Sequence, residues 1–381
     1  MKYGRLSFKY LVCYAVIAVL LLSGRGKAQG SLAISASAAI LMDGPTGQIL
    51  WAKNPDWQRP MASLTKIMTA ALVLERCDLN DSVTVSLNAA RTEGSSMYVR
   101  AGQTYRVEDL LHGLMLVSGN DCAAALAEYA GDSQEAFVNW MNRKAKLLGA
   151  ENTRFANPHG LPAPDHYSTA SDLALIARYA LANPKFAEIV SSKQATYFDP
   201  ASENPRTIQN KNRMLWDVEG ADGVKTGYTL AAGRCLIASA TREARRVIAV
   251  ILDGPDMWED AKTLLEYGLE AFSTRLVGRK GQEVGRAAVL KGLSPTTSAV
   301  LGEDLWVTLP IKAQIELEYL QGAPPTAPII QWAPIGMLQI KHAGSVVAAA
   351  PVLAGQDIKS SGLKNYVSHF LSKVKELVRA N

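Results

Sequence analysis

Between Gly220 and Pro255 the chain reads GADGVKTGYTLAAGRCLIASATREARRVIAVILDGP, three β-rich runs separated only by short Gly-rich or charged turns. Connections that short join antiparallel neighbours, so this stretch is expected to build an antiparallel sheet. An earlier stretch, AAILMDGPTGQILWAKN, has a Gly/Pro turn between two strand patterns and reads as a hairpin. From about Leu64 to Ala182 apolar residues recur instead at helical spacing, broken at GSSM, SGN and NPHGLPAP. WEDAKTLLEYGLEAF returns to helix and would pack against the sheet. Strands, helices, strands and a helix in one unit make an α+β pattern.

Beyond Phe272 the texture changes. GRAAVL, DLWVTLP, IELEYL and MLQIKHAGSVVAAAPVLA are short strand patterns between Gly- and Pro-rich turns, which predicts a separate small all-β domain. A chain of 381 residues, 48% hydrophobic and 20% charged, has room for two globular domains and carries no evident repeat or low-complexity tract.

The N-terminus, MKYGRLSFKYLVCYAVIAVLLLSGRGKAQG, has Lys2, Arg5 and Lys9, an apolar run from Leu11 to Leu22, and small residues around Gly26 and Ala28. That is the pattern of a secretory signal peptide cut near Ala28. Removing residues 1 to 28 deletes five basic residues and no acidic one, so the formal charge of +5 falls to 0. A basic nucleic-acid binder is thereby excluded. At the C-terminus Leu363, Tyr366, Val367, Phe370, Leu371, Val374, Leu377 and Val378 share one helical face, and from Asp357 onward five basic residues stand against two acidic ones, a local +3. A helix so built can lie in the interface of an anionic membrane, the alternative being a face docked on its own protein or in a dimer. With Cys13 in the signal peptide, Cys77, Cys122 and Cys235 remain, an odd number without metal-like spacing, and read as buried thiols. The expected division is a signal peptide at 1–28, a catalytic domain at 29–273, a small all-β domain at 274–355 and an amphipathic helix at 356–381.

Within RPMASLTKIMTAALVLE, Ser63 precedes Lys66 by three residues at the start of a helical pattern, so hydroxyl and amine lie on one face within hydrogen-bond reach. A serine hydroxyl needs a base, and an amine serves only when burial or a neighbouring cation lowers its pKa. By itself the spacing is weak, because Ser361/Lys364 and Ser372/Lys375 repeat it on a solvated helix face. Ser118-Gly119-Asn120 interrupts another helical pattern, where Asn120 could simply cap the second helix. Lys225-Thr226-Gly227 opens a predicted strand, where an exposed lysine and a glycine that weakens pairing would be the bland explanation. In this order, on a helix start, a turn and a strand, the three motifs match the signature of penicillin-binding proteins and serine β-lactamases.

DGPTGQILWAKN, RPMASLTKIMTA, EGSSMYV, VEDLLHGLMLVSGNDCAAALAE, NPHGL, HYSTASDLA and GADGVKTGYT resemble the D-alanyl-D-alanine carboxypeptidases, low-molecular-mass penicillin-binding proteins of peptidase family S11, over about residues 35 to 272. The trailing segments are similar to that family's C-terminal parts, with weaker motifs. The resemblance implies a serine β-lactamase/DD-peptidase-like catalytic domain, a helical lobe against an antiparallel sheet. It implies a peptidoglycan stem peptide ending in D-Ala-D-Ala as substrate and β-lactam antibiotics as inhibitors. Ser63 would be the nucleophile and Lys66 its base; the N–H groups of Ser63 and Tyr228 would hold the oxyanion; Ser118 would relay a proton to the departing D-Ala. Asn120 would hold the substrate amide, Lys225 would keep Lys66 neutral, and Thr226, beside Gly227, would bind the terminal carboxylate. Arg234 could add a charge there or be a surface arginine.

The motifs alone do not choose among carboxypeptidase, endopeptidase, β-lactamase-like hydrolase and catalytically silent peptidoglycan binder. The Glu-x-x-x-Asn match that a class A β-lactamase needs, Glu135/Asn139, comes too soon and lies in a helical pattern, which disfavours a β-lactamase. A large transpeptidase would carry a long extra N-terminal domain, whereas the catalytic pattern begins just after the signal pattern, so water as acceptor in a carboxypeptidase is the expectation. No sequence feature calls for a metal or cofactor. The expected location is outside the cytoplasm, on the outer face of the cytoplasmic membrane.

Overall fold

The computed structural model describes residues 32–200, 202–362 and 367. The signal peptide expected at 1–28, and the amphipathic face expected from Leu363 to Val378 apart from Val367, lie outside the described residues. The chain divides into two compact units, Gly30–Ala271 and the residues from Phe272 onward.

In the first unit β1 (Ala38–Asp43) and β2 (Ile49–Lys53) form the expected hairpin. Two short hairpins follow, β3 (Ser82–Thr84) with β4 (Thr104–Arg106) and β5 (Gln194–Asp199) with β6 (Asn204–Gln209). The three C-terminal runs are β7 (Ala221–Thr229), β8 (Gly233–Arg242) and β9 (Arg245–Leu252), and the main sheet, antiparallel throughout, has the order β2-β1-β9-β8-β7.

Alternation along these strands serves two cores. Ile40, Ile237 and Val250 join the helical lobe, while Leu41, Leu236 and Ile251 join the opposite face with Leu264 and Leu265. An antiparallel sheet covered on both sides needs continuous apolar runs, which is why RRVIAVIL lacks a polar stripe.

The helices that build the lobe are α1 (Lys66–Arg76), α2 (Val107–Leu116), α3 (Asn120–Gly131), α4 (Gln134–Leu147), α5 (Ala170–Leu181) and α6 (Pro184–Ser191); α7 (Met257–Ala271) covers the other face. Every residue of α1 from Lys66 to Val73 is buried, so this helix is the axis of the lobe. Glu135 and Asn139 both lie within α4. Cys77, Cys122 and Cys235 are free thiols; the last two are buried, but Cys77 is only half-buried because it ends α1.

The second unit is all-β. β10 (Phe272–Gly278) pairs with β13 (Leu305–Pro310), and β11 (Glu283–Ala288), β12 (Thr296–Leu301), β14 (Glu316–Gln321), β15 (Pro334–His342) and β16 (Ser345–Ala354) form a sheet in the order β11-β12-β16-β15-β14. Among the described residues no helix is long and apolar enough to cross a membrane, and no group of three His, Cys, Asp or Glu side chains could hold a metal ion.

The Asp260 carboxylate, 3% exposed on α7, accepts the Ser35 N–H at 2.8 Å, the Ser35 hydroxyl at 2.8 Å and the Ala36 N–H at 2.9 Å. It fastens the segment leading into β1 across more than 220 residues of sequence. Asp260→Ala leaves buried donors unsatisfied and is expected to cost about 2–4 kcal/mol in urea denaturation. A loss within about 0.5 kcal/mol, the ordinary scatter of surface substitutions, would show that the clamp contributes nothing.

Candidate active site

Pro60 ends the incoming strand-like segment, and the expected helix start at Ser63 is instead a tight 3-10 turn, Ala62–Thr65, that hands over to α1 at Lys66. Ala62 takes a left-handed backbone, φ +47°. Its carbonyl accepts the Thr65 hydroxyl at 2.8 Å, and Thr65 Oγ1 lies 2.8 Å from His166 Nε2. The Ala156 N–H donates to His166 Nδ1 at 2.9 Å, so the proton of the neutral ring belongs on Nε2 and points at Thr65. Burial, with the Lys66 charge, holds His166 down to about 4, so the ring stays neutral and the chain of donors keeps one direction.

Lys66 is wholly buried, and its Nζ contacts Ser63 Oγ at 2.9 Å, Asn120 Oδ1 at 2.6 Å and the His159 carbonyl at 2.5 Å. The last two are pure acceptors; Asn120 is oriented because its Nδ2 donates to the Glu93 carbonyl at 2.5 Å. A neutral amine has two N–H bonds, and both are consumed by these acceptors. Its lone pair is then left facing the Ser63 hydroxyl.

Desolvation is the main cause that drives the Lys66 pKa well below its ordinary range, and the positive charges of Lys225 and Lys211 add to it, opposed by Cys122 and Asp121. Lys225, 2% exposed, is itself brought down to about 7 by burial and by Lys211. The Lys225 charge thus disfavours the protonated form of Lys66. His159, whose carbonyl caps Lys66, is lowered to about 3 by burial and by the Lys66 charge and is neutral as well.

The loop between α2 and α3 carries Ser118 in a left-handed conformation, φ +66°, and buries its side chain. Asn120 does not cap α3. Gly119 occupies the cap, and Asn120, the first residue of the helix, commits its amide to Lys66 and Glu93. A second loop is tied to the same place: Asn120 N–H donates to the Ser95 carbonyl at 2.7 Å, and the Asp121 carboxylate accepts the Ser96 hydroxyl and the Met97 and Val99 N–H groups.

Lys225 is buried within β7 rather than exposed at a strand opening, and its Nζ reaches the Thr226 carbonyl at 3.1 Å. Gly227, on the same face as Lys225, meets the Ser63 turn backbone to backbone: a Cβ there would lie 3.2 Å from Ser63 N and 3.2 Å from the Met61 carbonyl. Gly160, at φ +94°, is stricter still, since a Cβ would sit 2.0 Å from the Ala62 carbonyl oxygen.

Ser63, Lys66 and Asn120 are thus joined by hydrogen bonds, Gly227 abuts them, and Lys225 acts on them through its field. Thr226 is half-buried and Tyr228 exposed on the same strand. Arg234 stands opposite Tyr228 in register, exposed, and donates to the Pro255 carbonyl at 3.0 Å; among the described residues no hydrogen bond ties it to the Ser63 cluster. Sequence reasoning assigned no role to the His159 and Glu93 carbonyls, Gly160, the Thr65–His166 pair or Lys211. A glycine after His159 within a Pro-flanked turn was the one local signal for part of this set.

The family model described as D-alanyl-D-alanine carboxypeptidase matches residues 25–256, and that of the penicillin-binding protein 5 C-terminal domain matches 272–360. The chain is 35% identical over 363 residues to the D-alanyl-D-alanine carboxypeptidase DacF of Bacillus subtilis, covering 90% of each chain. It is 36% identical over 360 residues to the D-alanyl-D-alanine carboxypeptidase DacD of Escherichia coli, covering 88% of this chain and 91% of the relative. The crystal structure of penicillin binding protein 5 from Haemophilus influenzae superimposes with a TM-score of 0.78 at 31% identity, over 87% of this chain and 100% of that one. A buried amine aimed at a serine, on a fold shared over nearly the whole length of these proteins, makes the chain a member of the D-alanyl-D-alanine carboxypeptidase family.

Proposed function

We propose that the protein is an exported serine-type D-alanyl-D-alanine carboxypeptidase that removes the terminal D-alanine from peptidoglycan pentapeptide stems and is acylated by β-lactams. The observation that carries this reading is the Lys66 amine, both of whose N–H bonds are taken by pure acceptors while Ser63 Oγ lies 2.9 Å away. Ser63 attacks the penultimate D-Ala carbonyl and passes its proton to Lys66. The developing oxyanion is held by the Ser63 and Tyr228 N–H groups, each donor of this kind being worth roughly 2.7–4 kcal/mol. Ser118 relays the proton to the departing D-Ala amine as the C–N bond breaks, and water then releases the acyl group from Ser63. Asn120 keeps one N–H and one lone pair free of Lys66 and Glu93, enough for the substrate amide. Lys225 and Thr226 receive the terminal carboxylate; Arg234, exposed and spending one of its five N–H donors on the Pro255 carbonyl, is not hydrogen-bonded to the Ser63 cluster among the described residues.

Ser63→Ala is expected to abolish both labelled-penicillin attachment and D-alanine release, read by mass spectrometry of muropeptides as the loss of one alanine; labelling that survives the substitution removes the nucleophile assignment. Because Lys66 works neutral and its pKa is depressed, acylation should rise as pH climbs through that lowered value. Lys225→Met takes away a cation that depresses Lys66, so the rising limb of the acylation profile should move to higher pH. A limb that stays in place, or moves to lower pH, would contradict the pairing of the two amines.

The N-terminal pattern and the basic amphipathic tail support export and peripheral attachment to the outer face of the cytoplasmic membrane. Truncation after Gly362 should release active enzyme from membranes; retention equal to that of the intact chain would count against anchoring by the tail.

A further inference from the structure

The last described stretch of the second unit, Asp357–Ser361, is hydrogen-bonded to two turns. Ile358 pairs with Ile329, and Ser360 pairs with Gly292. The Leu293 N–H donates to the Lys359 carbonyl at 2.9 Å and the Ser361 N–H to the Lys291 carbonyl at 2.8 Å. Around this seam large apolar side chains stand in solvent: Ile330 at 73% exposure, Leu290 at 51% and Trp332 at 50%.

Trp332 is in a left-handed conformation, φ +70°, which a bulky residue adopts only at a cost. The turn is locked in that state. The Trp332 N–H donates to the Ala354 carbonyl at 2.8 Å, the Gln331 N–H to Asp357 Oδ1 at 2.6 Å, and Gln331 Nε2 to the Gly355 carbonyl at 2.9 Å. Three hydrogen bonds therefore hold a strained tryptophan where its ring stays in solvent. Positive φ is found in this unit also at Lys291 and Ala343, and Trp332 is the bulkiest side chain of the three.

Charge and chain direction name the occupant. Lys291 and Lys359 are exposed at the same seam beside Asp357, and the nineteen residues after Gly362 add Lys364, Lys373, Lys375 and Arg379 against Glu376. An indole, aliphatic side chains and lysines grouped where a basic amphipathic segment departs suit an anionic lipid surface, with tryptophan at headgroup depth and the ammonium groups on phosphates. We infer that Leu290, Ile330 and Trp332, with Lys291 and Lys359, form a second lipid-contact surface on the β unit, engaging anionic phospholipid alongside the C-terminal tail. This rests on the membrane reading of the preceding section and adds an element to it that the tail does not supply.

The test is sedimentation of the full chain with vesicles of phosphatidylglycerol and phosphatidylethanolamine, comparing the intact protein, Ile330→Ser/Trp332→Asn, the truncation after Gly362, and the combination. The paired substitution should lower vesicle partitioning about tenfold, the scale for withdrawing two large apolar side chains from an interface. Labelling of Ser63 by penicillin should be unchanged, and the thermal midpoint should hold or rise, because asparagine tolerates the backbone that strains tryptophan. Ile330→Ser alone, at the most exposed of the three apolar positions, should still reduce partitioning severalfold and is the arm to read if Trp332→Asn disturbs folding. Unchanged partitioning of both variants overturns the proposal while leaving the tail reading intact. Loss on substitution with no loss on truncation sustains this surface and removes the tail as anchor, and failure of the intact chain to bind vesicles overturns both.

Discussion

Everything at the site depends on one buried amine whose surroundings disfavour its charged form and leave its lone pair aimed at Ser63. Lys66 lies in the middle of the helical lobe with no exposure, and two of the three groups around its nitrogen can only accept hydrogen bonds. Burial alone would lower its pKa, but burial alone would not aim the lone pair. The Asn120 and His159 oxygens do that, by occupying the two N–H directions that remain after deprotonation. Lys225 makes the protonated form costlier still without touching it. Desolvation sets the charge state, acceptors set the direction, and a remote cation reinforces both.

The fold can be understood as the means of bringing those parts together. Lys66 and Ser63 come from the junction of a tight turn with α1, Asn120 from the start of α3, the His159 carbonyl from the 157–160 turn, and Lys225 with Gly227 from the edge strand β7. Backbones must approach closely for this: at Gly160 a Cβ would collide with the Ala62 carbonyl, and at Gly227 it would crowd the Ser63 turn at 3.2 Å. Covering the sheet on both faces fixes β7 against the lobe, so the turn and the strand cannot drift apart.

The architecture was legible because its signals are local and periodic. Strand runs 220–255 and the α7 pattern each declare themselves within a dozen residues, and the three motifs were recognisable from order and spacing. What escaped had no local signature. The helix start was placed at Ser63 because apolar spacing cannot separate a 3-10 turn from the first turn of an α-helix, and Ala62 in a left-handed state is invisible to periodicity. The Ser-x-Asn motif assigns Asn120 to the substrate amide, with a helix cap as the bland alternative; neither reading contains its side-chain partners, which lie 54 and 27 residues away in sequence. The same holds for Thr65 and His166, 101 residues apart, and for Lys211, whose effect on both lysines is purely electrostatic. In the β unit, Thr296–Leu301 was missed because its polar first half follows a Pro-containing turn and blurs the strand pattern.

Backbone strain is placed with the same economy in both units. At the candidate site positive φ falls on Ala62 and Ser118, one residue before the proposed nucleophile and at the head of the Ser-Gly-Asn turn. In the β unit positive φ occurs at Lys291, Trp332 and Ala343, and Trp332 carries the largest side chain of the three. Strain beside a small reacting residue fixes the position of an atom. Positive φ under a half-exposed indole, braced by three hydrogen bonds to the strand end, fixes the presentation of a surface, as the proposed lipid contact requires.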